Sequence, residues 1–290
     1  MEKHLLVTVS DQKGVWYGLQ FVGSLFENKD NIKLTLFYTA PKPVVWDDKS
    51  KMDTNRLMEQ KAKEIAGKGE KDLAAAGSEL VKLGFLKENV HTKLRFRGIS
   101  KADDIIEEGE AGRYDAVVLG RRGLSWLEEA VDESVTGGIL EKKTQIPMWI
   151  CRRPDAKRSN LLLCLDGSDA SLRMADHVGF ILAGQNNHRI TLFTVKKDEK
   201  ITSENLQKIT SDAKETIVTQ GVPENLITTK IAKSDKVRKT ILDEAKKERY
   251  AAVAVGRTGT GDGFLKKMFM GSVSTYLFKE LEGSALWVCY

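Results

Sequence analysis

Two stretches of this sequence carry residue types and spacings suited to chemistry. In LLLCLDGSDAS (161–171) an apolar run ends on Asp166 and Gly167 before an amphipathic segment opens. In GRTGTGDGFLKKMFMGSVSTYLFKEL (256–281) glycines at 256, 259, 261, 263 and 271 precede a helix expected to start near Gly271 and Ser272. Glycines let a backbone approach a ligand closely, and the free amides of a helix N-terminus, aided by its dipole, bind phosphate. The hydroxyls of Ser272 and Ser274 would add donors. No G-x-x-x-x-G-K-[ST] occurs, so this is not a P-loop, and the turn DGSDAS lacks the G-x-G-x-x-G of a dinucleotide fold. What remains is a mononucleotide-sized anion site without an evident catalytic lysine, or else a flexible connection.

Other chemistries have little to stand on. His4, His91, His177 and His188 lie far apart and share no ligand spacing with each other or with the cysteines, so no metal site is expected. Cys151, Cys164 and Cys289 are too few for a disulfide framework, which fits a reducing compartment. The net charge of +5 comes from 46 basic and 41 acidic residues mixed along the chain, so nucleic acid is not indicated. No segment approaches the roughly 20 apolar residues of a membrane helix. MEKHLLVTVSD reads as a strand rather than a signal peptide, and the expected location is cytoplasmic.

The elements that must hold the site come twice. GRYDAVVLGRRG (112–123) and ERYAAVAVGRTG (248–259) agree at seven of twelve positions without a gap, IPMWICRR (146–153) pairs with SALWVCY (284–290), and LLVTVSDQ (5–12) pairs with LLLCLDGS (161–168). The offset falls from 156 residues upstream to 136 at the glycines, so the first copy carries about twenty extra residues, placed at PKPVVWDDKSKMD and the long helix after it. Apolar runs alternate with amphipathic stretches, as in βαβ units with a parallel sheet. Strands are expected at 5–9, 34–38, 92–97, 116–119 and 148–151, and again at 161–165, 190–195, 227–231, 251–255 and 285–289. Helices are expected at 171–182, with Leu172, Ala175, Val178 and Leu182 inward, and at 237–247, with Val237, Ile241 and Ala245 inward. The first and fourth strands lack alternation, which predicts burial on both faces.

RRPDAKRSN (152–160) is polar and aperiodic and suits a linker. The fold class is therefore α/β: two tandem five-stranded parallel sheets with helices on both faces, in domains 1–155 and 156–290. A ligand belongs beyond the carboxyl ends of the strands, where Asp166 and the glycines converge. Trp149 and Trp287 on the fifth strands read as core or interface packing.

On Asp166 and the two glycine motifs, both halves resemble the universal stress protein domain, and the chain resembles a tandem universal stress protein. That family has an acid at the end of its first strand and G-x2-G-x9-G-[ST] after its fourth. The resemblance implies an adenine nucleotide α-hydrolase-like fold, pairing of the two copies through their fifth strands as a pseudo-dimer, and ATP as ligand. It carries over to Asp166, Gly256, Gly259, Gly271 and Ser272, with Val195 lining an adenine pocket and Gly167, Val255, Val273 and Ser274 beside them. Eleven residues separate Gly259 from Gly271 where the family has nine, and the longer loop holds Asp262, unhelpful beside phosphates unless Mg2+ intervenes, with Lys266 and Lys267 to offset it.

In the first half Gly120, Gly123 and Ser134 fit, but Glu133 after Asp132 replaces the third glycine and Ser10 replaces the acid. Carboxylates at that helix start would repel a triphosphate. The resemblance thus implies a stress-response protein with ATP as a regulatory ligand of the second half and a degenerate first half. The alternatives are a nucleotide-free interaction protein, with Trp46 in its insertion as a partner surface, and a slow ATPase. A protein partner is expected without being identifiable, and a homodimer of the tandem chain stays open.

Overall fold

A computed structural model describes residues 1–9, 16–44, 51–120, 146–197, 202–257 and 272–289. The first copy runs β1 (Lys3–Thr8), α1 (Tyr17–Leu25), β2 (Ile32–Ala40), α2 (Lys51–Lys82), β3 (Val90–Phe96), α3 (Lys101–Ala111), β4 (Ala116–Gly120) and β5 (Met148–Cys151). The second runs β6 (Leu161–Cys164), α4 (Asp169–Leu182), β7 (Ile190–Lys196), α5 (Ser203–Thr219), β8 (Ile227–Lys233), α6 (Val237–Glu248), β9 (Ala252–Gly256), α7 (Ser272–Glu280) and β10 (Ala285–Cys289). The extra residues of the first copy lie largely in a helix, since α2 has 32 residues against 17 in α5.

The α/β class holds and the fifth strands do pair, but the two five-stranded sheets expected are one continuous sheet. The ten strands form one sheet in the order β3-β2-β1-β4-β5-β10-β9-β6-β7-β8. Pairs within each copy are parallel, and β5 joins β10 antiparallel with Trp149 opposite Trp287. The physical reason lies in the edges. Each copy ends on a short apolar strand whose free amides and carbonyls need a partner. A twofold relation between equal copies lets the two edges satisfy each other, and it forces the strands to run in opposite directions.

Burial follows from the sheet. Leu161, Leu163, Ala252 and Ala254 face one core, and Leu162, Val253 and Val255 face the other. The first core lies under α1, α2, α4 and α5, and the second under α3, α6 and α7. In α4 the inward face is Met174, Ala175, Val178, Ile181 and Leu182, whereas Leu172 is 40% exposed. Ala175, Val178 and Leu182 are inward as expected, and the helix begins two residues earlier than expected, at Asp169, because Ser168 caps it, its hydroxyl accepting from the Ser171 amide at 3.2 Å. Ile241 and Ala245 of α6 point inward as expected.

The connection between the copies is docked on the second. Asp155 N–H donates to the Gly283 carbonyl at 3.1 Å, and Arg158 donates to the Glu282 carbonyl at 3.2 Å and to the Ser284 hydroxyl at 2.8 Å. The repeated tyrosines before the fourth strands also have structural work. Tyr114 donates to Glu108 at 2.9 Å, and Tyr250 donates to Thr191 at 3.0 Å. Glu108 and Glu244 pair in turn with Lys93 and Lys230, each at 2.7 Å.

Candidate functional site at the carboxyl rim of the second copy

Within each copy the strand order reverses between the first and fourth strands, which opens a crevice at their carboxyl ends. In the second copy this is where β6 delivers Leu165 and Asp166 and β9 delivers Val255 and Gly256. A cavity of about 140 Å³ lies there, lined by Asp166, Thr194, Val195, Val237, Val255 and Val273 among others. Leu206 and Ile209 of α5 close one side, and Val237 and Ile241 of α6 the other.

Asp166 stands at the rim, exposed. Its Oδ1 accepts from the Ser168 amide at 3.0 Å and from the Ser168 hydroxyl at 2.6 Å. This closes a turn that aims α4, and Gly167 sits in it at φ +80, a conformation side chains rarely adopt. A Cβ there would also lie 2.9 Å from Ile209.

Gly256 proves to be needed for a protein contact. A Cβ would lie 2.4 Å from the Ser171 amide nitrogen and 2.5 Å from the Ala170 carbonyl carbon, so glycine lets the first turn of α4 rest on β9. Ligand approach is thus not the only reason for a glycine after the fourth strand.

On the far side the cavity continues into a groove between α6 and α7, lined by Lys197, Lys236, Arg238, Lys239 and Tyr276, with Asp235 as the one carboxylate among them. Arg238 stacks on the Tyr276 ring at 5.1 Å. The first turn of α6 contains no acid, so Arg238 and Lys239 crowd the positive end of its dipole. Four cations against the single carboxylate of Asp235 leave the groove net positive, which favours a polyanion beside it. Ser272 and Val273 open α7 at this groove, whereas Ser274 is buried beneath the helix.

The cavity contains one thiol, Cys164. Burial holds it well above its ordinary range and the Asp166 charge acts the same way, so it stays protonated and is a poor nucleophile. Among the described residues no group of three or more His, Cys, Asp or Glu side chains gathers to hold a metal. Among them, too, no helix is long and apolar enough to cross a membrane.

Of the residues expected at the site, Asp166, Gly167, Val195, Val255, Gly256, Ser272 and Val273 converge on this rim. Gly259, Gly271, Asp262, Lys266 and Lys267 lie outside the described residues, as do Ser10, Trp46, Gly123, Asp132, Glu133 and Ser134.

The family model of universal stress proteins matches residues 1–152 and again 157–288. The chain belongs to the universal stress protein family. A universal stress protein from Archaeoglobus fulgidus DSM 4304 is similar in structure over 99% of this chain and 97% of its own, with a TM-score of 0.69 and 18% identity. A Pseudomonas aeruginosa UCBPP-PA14 protein matches over 99% of this chain and 93% of its own, with a TM-score of 0.57 and 13% identity. Identities this low speak for the fold alone. None of the curated proteins matches.

For this universal stress protein, sequence reasoning missed the walls of the cavity: Thr194, Leu206, Ile209, Val237 and Ile241. Val237 and Ile241 were legible only as a helix face, and where that face ended relative to β6 and β9 was not. Thr194 gave a usable signal, because it breaks the match of LTLFY (34–38) with ITLFT (190–194) at Tyr38.

Proposed function

We propose that the second copy, 156–290, binds ATP as a regulatory ligand of a stress-response protein, and that the first copy, 1–155, is degenerate in this respect. The observation that carries the reading is the union, at one strand-order reversal, of an apolar cavity with a basic groove that crowds a helix N-terminus. A planar base suits the cavity between Val195, Val255 and Val273, and phosphates suit the groove of Lys197, Lys236, Arg238 and Lys239. Asp166 suits a ribose hydroxyl, because it keeps acceptor capacity beyond its turn with Ser168. Gly259, Gly271, Ser272 and Ser274 complete the proposed set, and Mg2+ enters on the nucleotide. ATP is proposed here as a ligand to be sensed and not as a substrate. The protein is proposed to act in the cytoplasm.

The first copy differs at the same place. Tyr38 is nearly buried where the second copy has Thr194. Its ring lies against α2, where a Cβ on Gly69 would be 2.8 Å away.

The test is to denature the purified full-length protein, identify any released small molecule by mass spectrometry, and titrate the ligand-free protein with ATP by calorimetry. One site per chain, weakened in Asp166→Ala, is expected. Absence of both released nucleotide and titratable binding would refute the proposal and favour a nucleotide-free interaction protein.

A further inference from the structure

Thr194 is 3% exposed and lines the cavity, yet its hydroxyl has no hydrogen-bond partner. A buried hydroxyl left unpaired is costly, and the great majority of such groups in folded proteins are satisfied. Most of the cavity lining is apolar, Leu165, Val195, Leu206 and Ile209 included, and neither of its other polar side chains, Cys164 and Asp166, hydrogen-bonds Thr194.

The second copy could have avoided this cost. The register is the same in both halves, with Leu5 opposite Leu34 and Leu161 opposite Ile190, so Thr194 stands where the first copy has Tyr38. In the first copy the position is filled by an aromatic ring, and α2 makes room for it with Gly69. In the second copy the smaller residue leaves space and places a donor and acceptor beside it. Valine would have the same shape without the unpaired group.

We infer that Thr194 is a specificity-determining residue of the pocket, whose hydroxyl pairs with a polar atom on the buried edge of the ligand's base. The inference rests on the nucleotide reading above and deepens it. A hydroxyl can turn about χ1 to donate to a ring nitrogen or accept from an exocyclic amine, so it selects a heterocycle with a polar rim over an apolar ring of equal size. Because Thr194 lies in the cavity and not in the basic groove, its contribution concerns the base and is independent of the phosphates.

The experiment compares wild type, Thr194→Val and Thr194→Ser as full-length, nucleotide-free proteins, titrated by calorimetry with ATP and with adenosine, and melted without ligand. Thr194→Val is expected to weaken both ligands by the same factor, about tenfold for one lost hydrogen bond. Thr194→Ser is expected to restore most of the affinity. Without ligand, Thr194→Val is expected to melt no lower than wild type, since no bond is lost. Equal ATP affinity in wild type and Thr194→Val overturns the inference and leaves the nucleotide reading standing. A lower melting temperature of ligand-free Thr194→Val also overturns it, by showing that the hydroxyl is paired within the folded protein. Failure of the wild type to bind either ligand refutes the nucleotide reading and this inference with it.

Discussion

Phe21 and His177 occupy the same position in the two copies, 156 residues apart, and each packs against both indoles of the stacked pair Trp149 and Trp287. The indoles lie 4.1 Å apart and parallel across the β5·β10 pair. The two sides differ in one respect. Trp149 donates to His177 Nε2 at 3.0 Å, whereas Trp287 Nε1, which has Phe21 as a neighbour, has no hydrogen-bond partner. The pseudo-twofold interface is thus symmetric in shape and asymmetric in polarity.

His177→Phe removes the asymmetry by leaving both indole N–H groups unpaired. It is expected to lower stability at neutral pH by about 1–3 kcal/mol, the cost of a buried donor without an acceptor. Urea denaturation of the full chain checks this, and an unchanged midpoint would show that the Trp149 bond contributes nothing.

The same residue makes stability depend on pH. Burial pushes the His177 imidazole down to about 3, from an ordinary 6.5. Between those values the unfolded chain binds the proton and the folded one does not, so this contribution is complete above 6.5 and is lost as pH falls toward 3. The slope is at most about 1.4 kcal/mol per pH unit. His188 shifts in the same direction through burial, its Nε2 donating to the Leu25 carbonyl at 2.7 Å. The stability gap between wild type and His177→Phe should therefore narrow from pH 7 to pH 4. A gap that stays constant would contradict the depressed imidazole.

The glycines that end the two fourth strands should respond unequally to alanine. At Gly256 the new Cβ would lie 2.4 Å from backbone, whereas at Gly120 its nearest backbone neighbour is Gly18 N at 3.5 Å. Gly256→Ala is expected to cost about 1–3 kcal/mol or more through displacement of α4, and Gly120→Ala to change stability by less than about 1 kcal/mol. Parallel thermal melts of the two variants decide the matter, and equal effects would refute the packing role of Gly256.

Phosphates in the α6–α7 groove predict a charge-specific loss. Lys236→Glu combined with Arg238→Glu should weaken ATP by at least about tenfold while leaving adenosine within about twofold. Raising the salt concentration should reproduce part of the ATP effect in wild type, because exposed charges are screened. Equal losses for ATP and adenosine would place the phosphates elsewhere.

The duplication, the strands and most helix faces were legible in the sequence because they follow from local patterning. A run such as LLLCL, short and bounded by turn residues, fits a strand covered on both sides, and the offset between GRYDAVVLG and ERYAAVAVG needs no three-dimensional information. Asp166 and the glycine after each fourth strand were also visible, because turns are specified by their own residues. The exposure of Leu172 was missed, since the buried stripe of α4 runs through Met174 and Ile181 and leaves Leu172 at its edge.

What only the tertiary structure decided concerns residues distant in the chain. Pairing through the fifth strands was implied by the resemblance, but the antiparallel register that sets Trp149 opposite Trp287 and makes one sheet of two depends on how β5 meets β10. The role of Gly256 depends on how closely α4 crosses β9, and the unpaired state of Thr194 depends on what α5 fails to present to it. Local sequence fixes which atoms need partners. Long-range packing decides whether they find them, and only the folded structure shows that the Thr194 hydroxyl and the Trp287 indole N–H do not.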